Sequence, residues 1–309
     1  MKKGISDNTK GILLMLLTQL IWSFSILFTK MLTNGYTWSE IISWRFVISL
    51  VAFLILIISG VFKVNFKGKS LKALLFMTLW HPIFYFIGET YGIAETTASE
   101  SSIFIAMIPV VTLIFAIAIL GRKPRPIQAV GIVLSVVGII VMIGLRGEAS
   151  FNIKGYLMLG LAVLSSAIYF TLSDNFQQYT AIEKSFMVSF AGAIFFTGYS
   201  LFEKFLHHES FMSWAMLPFS DVGFLAGTAY LGLGCSLIAY CSINSAIRYI
   251  GVERSTSFAN ITTVITVIGG VSMLHESLTY WQFAGVMLVL VGVYLANKSP
   301  KTDIQIEGN

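Results

Sequence analysis

The sequence predicts an all-α integral membrane protein with ten transmembrane helices, arranged as two inverted five-helix repeats. Three observations carry this. Of 309 residues, 56% are hydrophobic and 11% charged, with a mean hydropathy of +0.81, whereas soluble domains carry roughly 25% charged residues. A water-soluble protein of this size cannot hide that much apolar surface. The apolar residues also form ten continuous runs of spanning length, without the alternation of barrel strands. Finally, the chain writes one stretch twice: 101–142 returns 154 positions later as 255–296.

In that register Ser101 falls on Ser255, Phe104 on Phe258, Val110 on Val264 and Leu120 on Leu274. Gln128 falls on Gln282, Gly131 on Gly285 and Gly138 on Gly292. The shared glycines read as helix-packing positions in each half, because small residues let helices approach closely in lipid.

Residues 11–31 form the first span. Lys2, Lys3 and Lys10 precede it as they would in a signal peptide, but the run continues for about twenty residues without a small-residue cleavage site. Runs at 38–60, 71–91, 101–120 and 127–145 complete a first repeat at 10–144. Runs at 155–172, 185–201, 222–246, 256–274 and 280–296 make a second repeat at 155–297, followed by a short tail at 298–309. The early spans match weakly at an offset of 144, with Lys10-Gly11 on Lys154-Gly155 and Phe46 on Phe190. The change from 144 to 154 requires an insertion of about ten residues, expected as a loop at 204–221. Five spans per repeat invert the second copy relative to the first, as in many secondary transporters.

The net charge of +5 and pI of about 9.1 would suggest nucleic acid for a soluble chain. Here the basic residues read as cytoplasmic anchors, and no nucleic-acid partner is expected. With the N-terminus inside, fifteen Lys and Arg residues fall in inner segments, against five in or near the outer half: Lys30, Arg45, Arg146, Lys154 and Lys204. That bias predicts a multi-pass cell (inner) membrane protein with both termini cytoplasmic. The expected partners are the lipid bilayer and a small-molecule substrate, the chain acting as a monomer or homodimer.

Ionisable groups inside lipid are costly and point to function. His81 lies halfway along the third run beside Pro82, where a kink frees a carbonyl. It either lines a central cavity, binding substrate or relaying protons, or bonds a neighbouring helix. Glu89 lies eight residues further, ~12 Å along a helix, at a depth similar to that of Arg45. The two form a buried ion pair, or they bind the amine and carboxylate of a zwitterion. Trp22, with Phe24, Phe28, Trp44 and Trp80, supplies aromatic surface, for packing or for a pocket. Asn260 is the cavity candidate of the polar ninth run, while Thr262, Thr263 and Thr266 read as packing residues. Asp174 and Glu276 read as solvated membrane-edge residues.

No metalloprotease, nucleophile-elbow or Walker motif occurs, so the chain reads as a non-enzyme. Cys235 and Cys241 lie six apart on different helix faces, which indicates neither a disulfide nor a metal site. No cofactor is expected.

The run Trp22-Ser23-Phe24…Lys30 resembles the first-span signature of EamA-type members of the drug/metabolite transporter superfamily. Arg45-Phe46, Pro109 after a small-residue segment, and Glu276…Gln282…Gly285…Gly292 are similar to later parts of the same pattern. The resemblance covers both repeats. It implies a ten-helix carrier moving small metabolites, often outward, by alternating access. Family substrates include amino acids, purines and cationic drugs, and some relatives exchange protons. This chain departs from the pattern at Gly121-Arg122-Lys123-Pro124, where the family has Glu, and at Thr263, where it has Pro. Trp22 stands where small multidrug-resistance relatives keep a proton-binding carboxylate, so proton coupling would fall to His81 or Glu89.

The reading is thus an exporter of amino acids or similar metabolites, with a midplane site lined by spans one, three, four, eight and nine. The alternatives are an importer of a nucleobase, vitamin or cationic compound, or a non-transporting membrane scaffold or sensor. Pro82 and Pro109 are expected as hinges and Gly131 and Gly285 as packing positions. The repeat mismatches Pro109/Thr263, Ala106/Asn260 and His81/Cys235 are expected to select the cargo.

Overall fold

A computed structural model describes residues 6–120, 125–144, 152–175, 178–251, 255 and 258–296. Among the described residues all regular secondary structure is helical. Helices α1 (Asp7–Leu32) and α2 (Trp38–Ile58) are followed by α3 (Leu71–Thr78), a π-helical segment (Leu79–Phe84) and α4 (Tyr85–Glu95). Next come α5 (Ala98–Ile105), α6 (Ile108–Leu120) and α7 (Pro126–Gly144). The second half holds α8 (Ile153–Asn175), α9 (Ala181–Leu206), α10 (Phe211–Ser220), α11 (Val222–Ala229), a second π segment (Tyr230–Ala239) and α12 (Tyr240–Ile250). Helices α13 (Ala259–Met273) and α14 (Tyr280–Ala296) end it. Among the described residues, seven helical stretches are long and apolar enough to cross a membrane, and α13 and α14 are shorter apolar helices. The protein is a multi-pass membrane protein.

The helix ends follow capping chemistry. Thr37, Thr97 and Thr180 each accept a backbone N–H while Glu40, Glu100 and Glu183 bond back, completing capping boxes. The duplicated glutamines do the same work in both halves: Gln128 Oε1 accepts the Arg125 amide at 3.0 Å, and Gln282 Oε1 the Thr279 amide at 2.9 Å. Their repetition reflects capping, and Gln282 Nε2 also donates to Glu100 Oε1 at 3.1 Å, tying α14 to α5.

The duplicated glycines meet one another. A Cβ on Gly131 would strike the backbone of Gly292 and Ala296, and one on Gly285 would lie 2.7 Å from Gly138 O. The start of α7 therefore lies against the end of α14, and the two helices run antiparallel with their backbones in contact.

The interior is laced with small hydroxyls. Thr262 Oγ1 donates to Gln19 Oε1 at 2.6 Å, Thr266 Oγ1 to Ser23 O at 2.9 Å, and Thr263 Oγ1 to Ser102 O at 3.1 Å, tying α13 to α1 and α5. Large apolar residues such as Ile58, Phe205, Ile194 and Ile268 face outward instead, the surface expected in lipid.

The insertion expected as a loop at 204–221 is mostly helix. The end of α9 extends into it and α10 fills it, because Trp214 has somewhere to pack. Its ring stacks on Trp44 at 4.7 Å and its Nε1 donates to Ser43 Oγ at 2.9 Å. Asp221 then caps α11 through the Gly223 and Phe224 amides and accepts from Tyr36 Oη. Tyr36's O–H holds the Asp221 carboxyl below its ordinary pKa, and the same bond pushes the Tyr36 phenol up to about 12.

Candidate substrate-binding cavity

The third helical stretch of each repeat widens into π-helix at the same place. Shifted by 154, the π segment at Leu79–Phe84 falls within the one at Tyr230–Ala239. At His81 the backbone leaves helical geometry altogether (φ −142°, ψ 108°), with a cis bond to Pro82. Irregular backbone at membrane depth survives only when buried in protein or lining a cavity. Here both conditions hold: His81 is 3% exposed, and it lines a cavity.

Its walls come from seven of the ten predicted runs. α1 gives Gln19, Trp22, Ser25 and Ile26; α2 gives Arg45; the third stretch gives His81, Tyr85, Phe86 and Glu89; and α5–α6 give Ile105, Ile108 and Pro109. The second half adds Ser166, Phe170, Tyr240, Ile243, Ala259 and Thr262. Spans two and six join the five expected to line the site.

These residues pair across the repeat. At offset 144, Trp22 corresponds to Ser166 and Ile26 to Phe170. At offset 154, Phe86 corresponds to Tyr240, Glu89 to Ile243, Ile105 to Ala259 and Ile108 to Thr262. The cavity is therefore built from equivalent positions with unequal chemistry. Its charged residues, Arg45 and Glu89, both come from the first half.

Glu89 Oε1 accepts from Tyr85 Oη at 2.9 Å, while its buried Oε2 has no partner. Tyr85 in turn stacks on His81 with centroids 4.2 Å apart. His81 Nδ1 bonds Tyr240 Oη at 2.7 Å, linking the halves. Trp22 lies edge-on to Tyr240 and its Nε1 donates to Cys235 O at 3.4 Å, a carbonyl within the second π segment. Arg45 Nε donates to Ser236 Oγ at 2.8 Å, and its Cζ lies 4.3 Å from the Phe86 ring centroid. Arg45 and Glu89 form no ion pair with each other. A buried structural pair, one of the two roles expected for them, is not what the geometry shows.

Of the predicted site residues, Trp22, Arg45, His81, Glu89 and Pro109 meet at the cavity, and Pro82 is buried beside it. Asn260 does not. Its Nδ2 donates to Leu290 O of α14 at 3.3 Å and its Oδ1 is buried without a partner. One helical face away, Ala259 and Thr262 reach the cavity instead. Ala106, its repeat mate, also stays off the wall. Trp44 packs on Trp214 and Phe28 on Tyr230, away from the site. Among the described residues, no three His, Cys, Asp or Glu side chains are grouped so as to hold a metal ion.

Glu276 corrects another expectation. It is not merely solvated: it receives the Ala98 and Ser99 amides at 2.6 and 3.0 Å, plus Ser99 Oγ at 2.6 Å. Just before that point, Lys30 Nζ donates to the carbonyls of Ile93, Ala94 and Thr96 at 3.0, 3.1 and 2.5 Å. A cation thus sits on the end of α4 and an anion on the start of α5, each with the sign that the helix dipole favours. Asp174's side chain lies outside the described residues, as do Arg122 and Lys123.

A multi-pass helical bundle, with two sequence repeats around one polar and aromatic cavity, has the build of a membrane transporter for a small molecule. The chain belongs to the EamA-like transporter family, which matches residues 9–144 and 153–298. It is 28% identical over 296 residues to "Uncharacterized transporter YcxC" of Bacillus subtilis, covering 94% of each chain. It is 25% identical over 208 residues to "Probable terminal-alkyne amino-acid exporter" of Streptantibioticus cattleyicolor, covering 67% of each. A solved crystal structure superposes with a TM-score of 0.65 at 16% identity, covering 93% of this chain and 96% of the other, a likeness of fold alone.

Proposed function

We propose that the chain is a secondary-active carrier that exports an amino acid or similar small zwitterion by alternating access. One observation carries this: Arg45 and Glu89 share a cavity without bonding each other, and Glu89 Oε2 is left free. A guanidinium suits a carboxylate and a carboxylate suits an ammonium. Apolar walls from Ile26, Ile108, Phe170 and Ile243 suit an apolar side chain between them. Such a carrier needs only different affinities in its two states, with no covalent chemistry. The amino-acid exporter among the relatives supports the same substrate class.

The architecture we propose is ten spans in two inverted repeats, 10–144 and 155–297, the stretches from α3 to α4, α5 to α6 and α11 to α12 each counting as one span. The antiparallel contact of the repeat-equivalent helices α7 and α14 supports inversion, since a parallel repeat would set equivalent helices in the same sense. The distribution of Lys and Arg supports a cell-membrane location with both termini cytoplasmic. Lys30 and Glu276 then face outside. Protons remain a candidate coupling ion through Glu89 or His81.

The test is transport by purified protein in vesicles loaded with an amino-acid mixture, under imposed proton, sodium and substrate gradients. The proposal requires at least one zwitterion to exchange faster than in empty vesicles. If no solute crosses under any gradient, it fails.

A further inference from the structure

The Arg45 guanidinium is anchored at one edge only. Its Nε–H is spent on Ser236 Oγ at 2.8 Å, while its Nη groups make no hydrogen bond among the described residues. Ser236 sits in the second π segment one turn after Gly232. A Cβ on Gly232 would come within 2.7 Å of Arg45 O. The two positions grip the same arginine, Gly232 by admitting the α2 backbone and Ser236 by taking the side chain.

Ser236 is itself held in place. It is fully buried, and its carbonyl accepts from Ser189 Oγ at 3.5 Å. Ser189 in turn bonds Ser49 Oγ at 2.8 Å, so three serines tie α2, α9 and the π segment together beside the arginine. Under the offset of 144, Ser189 is the repeat counterpart of Arg45 itself. Where the first half carries the charge, the second half carries part of its support.

We propose that Ser236 is the positioning residue for the substrate carboxylate. With Nε occupied, the edge left for a ligand is the Nη1/Nη2 fork, which meets a carboxylate end-on through two parallel N–H···O bonds. The anchor also holds the cation over Phe86 and off Glu89 Oε2, so the two charges stay separate and open to a zwitterion. Without it the long side chain regains rotamers that must be frozen again at every binding event. This inference rests on the amino-acid reading of the cavity.

The test compares L-leucine, which has a carboxylate, with L-leucinamide, which lacks one, in vesicles carrying wild type, Ser236→Ala, Ser236→Thr and Arg45→Gln. Ser236→Ala should raise the leucine KM about tenfold, the usual worth of one hydrogen bond to a charged group. The maximal rate should hold, leucinamide should be handled as by wild type, and Ser236→Thr should recover part of the loss. Unchanged leucinamide handling doubles as proof that the variant is folded. An unchanged leucine KM in Ser236→Ala, with Arg45→Gln still abolishing the preference for leucine, overturns the positioning role and leaves the amino-acid reading intact. Equal loss of both probes makes Ser236 merely structural and also overturns it. If wild type shows no preference for leucine over leucinamide, Arg45 does not read a carboxylate and both proposals fall.

Discussion

Phe86 and Tyr240 occupy the same position in the two repeats and both pack edge-on to His81, whose ring centroid lies 5.5 Å from one and 5.3 Å from the other. The first supports a guanidinium and the second offers a hydroxyl. One duplicated scaffold thus places unlike chemistry around a single space, and that asymmetry determines what each part of the cavity can hold.

Arg45 carries the most weight. Replacing it with Gln should raise the KM for a carboxylate-bearing substrate about tenfold or more, since the bidentate charged contact proposed above would be lost. Arg45→Lys should not restore it, because an ammonium lacks the fork and cannot reach Ser236 in the same way. Initial rates in vesicles, with insertion checked by size-exclusion profile, measure this.

Phe170 lines the cavity at the position equivalent to Ile26. Phe170→Ala should enlarge the apolar end and weaken a leucine-sized substrate roughly tenfold through lost apolar contact of ~1.4 kcal/mol. Tryptophan should lose less, so the ratio of the two KM values shifts toward the larger side chain. Competition assays read that ratio directly.

Gly131 meets the Gly292 and Ala296 backbone, so even Ala must push α7 away from α14. Gly131→Ala should cost ~1–3 kcal/mol, as overpacking does, and Gly131→Leu should prevent stable insertion. Gly160, around which a Cβ meets nothing within 4 Å, should accept Ala with little change. Melting temperatures in detergent compare the three.

Glu276→Gln and Lys30→Met each remove charged hydrogen bonds from one of two adjoining helix ends. Each should destabilise by ~1–3 kcal/mol. Their effects should couple, the double variant losing less than the sum, because both act on the junction at Thr96-Thr97. A thermal double-mutant cycle tests this, and strict additivity would contradict it.

Asp221 gives a pH signature. Its pKa is depressed in the folded state by the Tyr36 bond, then by the Phe224 and Gly223 amides. A depressed carboxylate stabilises the fold fully above its ordinary pKa and loses that contribution as pH falls through the folded value. The melting-temperature gap between wild type and Asp221→Asn should therefore be open at neutral pH and close on acidification below ~4.

Much of this was legible because hydropathy and register are long-range signals. The apolar runs, the matching glycines and the break at His81-Pro82 all follow from residue type and spacing. Local polar contacts were not legible. Asn260's polarity alone points to the cavity, while the rotation of α13 turns it toward Leu290 and brings Thr262 inward. Glu276 looked solvated because its partners, the start of α5, lie far away in sequence. Ser236 and Tyr240 lie hidden inside an apolar run. Two signals were available: Tyr240 is the repeat counterpart of Phe86, and Tyr85 lies four residues from both His81 and Glu89. The insertion at 204–221 read as loop because α10 owes its helix to Trp214 finding Trp44 and Ser43, a contact that no local propensity encodes.

The junction between α4 and α5 is fastened by polar bonds rather than by grease. Every group released if Lys30 and Glu276 let go is one that water can serve: three carbonyls, two amides, a hydroxyl and two charges. Exchanging such bonds for hydration costs little net free energy, whereas peeling apart an apolar seam of the same extent would expose surface at about 25 cal/mol for each Å². A fastening of this kind holds firmly while dry and comes undone at small cost when wet.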